Sequence, residues 1–280
     1  MVWTLGDRVT HAAKPDWGVG KIVAVLADGK LRIRFAAVGE KLLKTPPLIL
    51  VTGSAAVTLP GAAGSAAKKK GGISVSIGEY KVAFLDLFPR GFCDPRYLSG
   101  ERAYKIAASK MLRKTMARKP LQSLTKRGHC DEVCRLAQAV VSATNLIFPN
   151  EKMDLSDALQ VEGASQQFSG ALSDLLHGTG KFDDRFTAFC AVLAAIGASQ
   201  WTIATYFSYL AEPDTHMFLK PVATKRIAAA CDINLNYRTA PNILTYRSLL
   251  RLSERLADEL ADLKPKDKID LQSFIWCVAR

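Results

Sequence analysis

The chain has 280 residues, 49% of them hydrophobic and 23% charged, which excludes a disordered protein and allows one large domain or two small ones. Its 38 lysines and arginines against 26 acids give a formal charge of +12, which points to a polyanionic partner because phosphate neutralisation needs cationic surface. No apolar run reaches the ~20 residues of a membrane span, and MVWTLGDRV lacks the basic and apolar regions of a signal peptide, so a cytoplasmic protein without membrane attachment is expected.

Residues 6–51 read as four or five short strands separated by turn signals. Asp7 to Val9 start one and Gly20 to Leu26 form a second. Asp28-Gly29 is a hairpin turn, and Lys30 to Phe35 alternates so that Leu31, Ile33 and Phe35 share one face. A further strand is expected at Lys41 to Leu43. Such a module of about 50 residues is a small β-barrel of SH3 or Tudor type. The GVGK at 18–21 lies between strands and lacks phosphate-loop spacing, so it is no nucleotide site.

The string GDRVTHAAKPDWGVGKIVAV, followed by LRIRF and GEKLL, resembles the Tudor-like tail module of UvrD-type helicases and related CarD-type polymerase-interacting domains. Gly6, Asp7, Val9, His11, Trp17, Gly18, Gly20, Phe35, Gly39, Lys41 and Leu42 carry the likeness. It implies an adaptor over residues 1–52 that engages a helicase or RNA polymerase and has no chemistry of its own.

Residues 53–72, GSAAVTLPGAAGSAAKKKGG, have the composition of a flexible basic linker. Residues 73–87 read either as one or two strands or as a helix from Tyr80. From Ser99 the period is helical, and residues 99–280 are expected to form an all-α domain of eight or nine helices. In the first, Tyr104, Ala107, Ala108, Met111 and Leu112 share a face and the helix ends before Pro120. Lys110, Arg113 and Lys114 lie opposite, within a stretch of one-sided positive charge from Arg90 to Arg127 that has the composition of a phosphate-binding surface.

Six cysteines are spread along the chain, and buried free thiols fit them better than disulfides. His129, Cys130 and Cys134 supply too few ligands for structural zinc, so neither metal nor cofactor is expected.

The stretch 182–231 bears most on function. The helix FDDRFTAFCAVLAAIG runs through Gly197-Ala-Ser-Gln-Trp201-Thr202 into IATYFSYLA, two helices joined by a glycine-bearing turn. In such a hairpin, backbone N–H groups at the start of the second helix face a DNA phosphate. Met217-Phe218-Leu219-Lys220-Pro221 follows, then a short basic helix with Lys225 and Arg226. This order resembles the helix–hairpin–helix DNA glycosylases, 3-methyladenine DNA glycosylase II in particular. Gly197, Trp201 and Thr202 keep the hairpin spacing, Ser199 and Gln200 replace Gly and Arg, and Pro265 and Trp276 match the late helices.

The resemblance implies base flipping from double-stranded DNA and cleavage of an N-glycosidic bond, with Gly197, Ser199, Gln200, Trp201, Thr202, Lys225, Arg226, Lys110, Arg113 and Lys114 on DNA. Tyr206, Phe218 and Tyr237 are the aromatics for a base pocket. The family's catalytic aspartate falls at or beside Pro221 and Val222, which carry no acid. Lys220 as an amine nucleophile, Asp232 as a carboxylate and Asp214 as a third candidate are the replacements. Without any of them the chain is a DNA-binding adaptor that performs no chemistry. The expected fold is thus mainly α, a helix–hairpin–helix domain over 73–280 preceded by a Tudor/SH3-like β-module.

Overall fold

A computed structural model describes residues 3–12, 17, 19–26, 29–35, 39–44, 48–50 and 75–279. The linker expected at 53–72 lies outside them. The fold is mainly helical with a small N-terminal antiparallel sheet, and the chain divides into two compact units, Met1–Gly72 with Phe148–Met153, and Ile73–Ile147 with Asp154–Arg280.

In the first unit, β1 (Arg8–His11), β2 (Val19–Val25), β3 (Lys30–Phe35), β4 (Gly39–Lys44) and β5 (Leu48–Leu50) form one sheet in the order β4-β3-β2-β1-β5. Alternation sets the register. Gly20 pairs with Phe35 and Ile22 with Ile33, so that Val9, Ile22, Leu31, Ile33 and Phe35 bury one face. A Cβ on Gly20 would lie 2.7 Å from Ile33 and Phe35 side-chain atoms, which is why glycine stands there. Gly29 takes φ +75°, the turn conformation that Asp-Gly signals.

In the second unit the chain runs through α1 (Ile77–Leu87), α2 (Pro95–Tyr97), a π turn (Leu98–Arg102), α3 (Ala103–Thr115), α4 (Arg118–Lys126), α5 (Cys130–Ser142), α6 (Pro149–Ala158, shared with the other unit) and α7 (Ala164–His177). It ends with α8 (Phe182–Ala195), α9 (Trp201–Ala211), α10 (Pro221–Ala230), α11 (Ile243–Glu259) and α12 (Lys268–Ala279). A capping box starts α1: the Glu79 amide donates to Ser76 Oγ at 3.2 Å and the Ser76 amide to Glu79 Oε2 at 2.7 Å. That settles residues 77–87 as helix. α4 was not expected, because Pro120 read as a stop. It sits instead in the first turn of α4, where its missing N–H costs nothing.

Every residue from Trp201 to Leu210 is buried, which makes α9 the central helix, apolar all round. Its polar groups are internally satisfied at two key places. Tyr206 donates to the Val140 carbonyl at 2.8 Å, and Thr205 Oγ1 accepts from the Leu219 amide at 3.0 Å. Of the expected face of α3, Ala108 and Leu112 are buried and Tyr104 and Met111 half-buried, but Ala107 is exposed and Lys105 and Ser109 are buried instead. A lysine and a serine turn inward because each finds a partner there: Lys105 Nζ donates to Ser273 Oγ at 2.7 Å and Ser109 Oγ to the Leu210 carbonyl at 2.7 Å. Cys130, Cys134, Cys190 and Cys231 are buried, whereas Cys93 is exposed. Among the described residues no helix is long and apolar enough to cross a membrane.

Candidate functional site

The turn between α8 and α9 is closed by backbone geometry. Gly197 has φ +83°, its amide donates to the Ala194 carbonyl at 3.2 Å, and the Ala198 amide donates to Leu193 at 2.8 Å. That pair of bonds is the Schellman arrangement, which needs a left-handed residue after the helix end. Ala198 is buried at the bend, and Gln200 begins α9 without capping it by its side chain. Its amide nitrogen instead donates to Asp154 Oδ2 at 3.2 Å. The Trp201 indole donates to the Arg238 carbonyl at 2.8 Å, and Thr202 is buried. The side chains of Trp201 and Thr202 are thus taken up by packing. Gly197 is exposed and Ser199 half-buried, so the turn's backbone is what reaches the surface.

After α9 the chain returns as a buried strap, His216 to Leu219, pinned by the Leu219–Thr205 bond. The strap delivers Lys220 to the N-cap of α10, with Pro221 pre-set for the first helical position. The Lys220 side chain is only 5% exposed. Its Nζ donates to the Leu146 carbonyl at 3.0 Å and lies 3.9 Å from the centroid of the Trp276 ring on α12. Three separate parts of the second unit (the chain after α5, the start of α10, and α12) thus converge on one amine.

The carboxylate candidates lie elsewhere. Asp232 is exposed, has φ +53° and closes the C-terminal end of α10. Ten residues of helix separate it from Lys220, about 15 Å of rise. Asp214 is exposed beside Pro265, Lys266 and Leu271 at a cavity of about 190 Å³, and its carbonyl accepts from Lys268 Nζ at 2.7 Å. Tyr206 and Phe218 are core residues, so their expected place in a base pocket is corrected. Tyr237 is half-buried at 6.3 Å from Trp201, with Lys225 Nζ 4.6 Å over its ring. Arg226 is exposed and reaches the Ala279 carbonyl at 3.0 Å. Lys110, Arg113 and Lys114 are exposed on α3, continued by exposed Arg118 and Lys119 on α4.

Two buried polar centres escaped the sequence reading. Asp270 accepts from Tyr97 Oη, from Arg102 Nη1 at 2.6 Å and from the Lys266 amide at 2.8 Å, while Arg102 forks onto Asp267 at 2.6 and 2.8 Å. Both aspartates are thereby committed to structure. Beside them, burial pulls the Lys105 ammonium down to about 8 against the opposing pull of Glu101. The second centre is His216, stacked on Phe182 at 4.0 Å and sharing a 3.0 Å hydrogen bond with Tyr246 Oη. Burial, reinforced by Arg185 and Lys268, pulls its imidazole down to about 4. Charged or aromatic residues 160 or more positions apart meet in the first centre, and no local period signals that.

Residues 4–51 match the family described as Protein of unknown function (DUF3553). No curated protein and no solved structure matches the chain.

Proposed function

We propose that the second unit is a helix–hairpin–helix DNA glycosylase that removes a modified base from duplex DNA, with Lys220 as the attacking amine. One observation carries this reading. Lys220 stands at the start of α10, directly after the hairpin helices and the buried strap, and its amine is held between a carbonyl and an aromatic face. That is the position at which the glycosylase resemblance calls for a catalytic group, and the length of α10 separates it from Asp232. In the reaction the Lys220 ammonium first gives a proton to water, and the amine so formed attacks C1′ as the N-glycosidic bond breaks. The bonding electron pair leaves with the base, which takes up one of the amine's two protons; the C1′–O4′ bond then opens as the C1′=N imine forms, and O4′ takes up the other proton. Hydrolysis of the imine restores the lysine. Flipping the base costs a few kcal/mol, least for a damaged or mismatched one.

The backbone amides of Ser199 and Trp201 at the start of α9 and the cations of α3 and α4 hold the DNA backbone. The class of base spans alkylated, deaminated and phage-hypermodified forms, so repair and phage defence use the same chemistry. Residues 1–52 serve as a Tudor/SH3-like adaptor that engages a helicase or RNA polymerase.

The burial of Lys220 favours a second reading, a DNA-binding adaptor without chemistry. Incubation with duplexes bearing each class of base, followed by alkali or by borohydride, separates the two. Strand breaks, with a trapped adduct that Lys220→Ala abolishes, support the glycosylase. Salt-dependent binding that leaves every duplex intact assigns the adaptor.

A further inference from the structure

Helix α12 is buried on every side over Ile269–Ile275, so apolar packing alone gives it no preferred rotation. Two polar contacts set it instead. Asp270 accepts from Tyr97 and Arg102. One turn further on, Ser273 Oγ accepts from Lys105 Nζ at 2.7 Å and donates to the Ile269 carbonyl at 2.7 Å. The two cations, Arg102 and Lys105, stand three residues apart where the π turn Leu98–Arg102 runs into α3. Trp276 follows Ser273 by three residues, which puts it one turn further along the same flank of α12. Its ring is the one that lies 3.9 Å from Lys220 Nζ.

Packing does not account for Lys105. Its side chain is fully buried, and its partners are a neutral hydroxyl and the Glu101 carboxylate at 3.4 Å. Taking an ammonium out of water is costly, and a methionine would fill the same space without that cost. A directional hold does account for it, because a buried donor fixes the rotation of its acceptor where apolar contacts leave it free. We propose that Lys105 is a positioning residue for Lys220: by holding Ser273 it sets the rotation of α12 and keeps the Trp276 ring against the amine. The role rests on Lys220 as the attacking amine. An amine held at one place, between the Leu146 carbonyl and an aromatic face, meets C1′ in one orientation. Lys105 touches no substrate and acts through α12 alone.

The test acetylates the full chain with acetic anhydride and follows the Lys220 peptide by mass spectrometry, beside urea unfolding. Lys105→Met is expected to unfold at or above the parent midpoint, yet its Lys220 should be acetylated at least about fivefold faster as α12 loosens locally. Ser273→Ala removes only the acceptor and should also speed that labelling. The emission of Trp276, taken as each protein's difference from its Trp276→Phe form, should shift to the red in both variants. Parent rates and emission in either variant overturn the proposal. So does faster labelling of Lys105→Met that comes only with a lowered midpoint, which makes the lysine a general support of the fold. Labelling needs no DNA, so the two readings fail separately. A parent chain that excises no base and traps no duplex with borohydride overturns the glycosylase and leaves the labelling result unaffected.

Discussion

The Lys220 ammonium lies 3.9 Å from the centroid of the Trp276 ring, and the same nitrogen donates to the Leu146 carbonyl. An ammonium over an indole gains about 0.5–2 kcal/mol, more as water is excluded, and here the lysine is almost wholly buried. Trp276→Phe keeps a ring and is expected to cost about 1 kcal/mol in urea unfolding. Trp276→Ala removes both ring and packing and costs roughly 2 kcal/mol or more. If the two variants unfold alike, the ring is not what holds the amine.

Lys220→Met keeps the volume of the side chain and removes its charge. Replacing a buried charge by an apolar group is often neutral or stabilising, so this variant should unfold within about 1 kcal/mol of the parent. Its affinity for duplex DNA should also be unchanged, because the turn at Gly197 and the cations of α3 are untouched. Only trapping by borohydride is expected to vanish. Parallel loss of DNA binding would make Lys220 a phosphate contact.

His216 sets an acid limit on stability. Its folded value of about 4 is below the ordinary value of 6.5, so between those pH values the unfolded chain binds more protons. Stability therefore falls as pH drops from 6.5 toward 4, by up to about 3 kcal/mol. His216→Phe retains a ring against Phe182 and should flatten this limb, at the expense of the bond to Tyr246. The measurement is the unfolding midpoint in urea at pH 4.5, 5.5 and 7 for both proteins. An equally steep fall in the variant would place the titrating group elsewhere.

Strand β3 was legible because Leu31, Ile33 and Phe35 repeat at the two-residue period that a half-buried strand imposes. The central helix was legible because residues 201–210 are nearly all apolar or small. The inward face of α3 was not. Lys105 looks like part of a solvated basic stripe, and only Ser273, 168 residues away, makes it a buried group. Asp270 likewise reads as a helix-start acid, and its partners Tyr97 and Arg102 come from a different end of the chain. The separation of Asp232 from Lys220 was hidden for a related reason. Sequence distance from Lys220 is short, but a straight helix carries the two ends apart.

The Arg102 network predicts an asymmetry. Arg102→Leu leaves Asp267 and the fully buried Asp270 without their shared counter-ion, and removing one partner of a buried pair costs about 3–5 kcal/mol. The triple change Arg102→Leu/Asp267→Leu/Asp270→Leu removes every charge together and should recover much of that loss. Urea unfolding of the two variants reads the difference directly. A triple variant no more stable than the single one would mean that hydrogen bonding to Tyr97 and Lys266, not charge pairing, dominates.

Gly197 separates the shape of the hairpin from its chemistry. It holds φ +83° and a Cβ there would meet no atom within 4 Å, so an added side chain costs conformation and nothing else. For alanine that is about 1–2 kcal/mol, and asparagine, which tolerates the left-handed region, should cost less. Proline is different in kind. Its ring fixes φ near −65°, and it lacks the N–H that now donates to Ala194. The turn must then rearrange, and with it the amides at Ser199 and Trp201. Gly197→Ala is therefore expected to lower the unfolding free energy modestly and leave DNA affinity intact. Gly197→Pro should lower affinity at least tenfold at 100 mM salt, even where the variant remains folded by circular dichroism. Equal DNA affinity for a folded proline variant would remove the hairpin from the DNA interface and leave α3 and α4 as the contact.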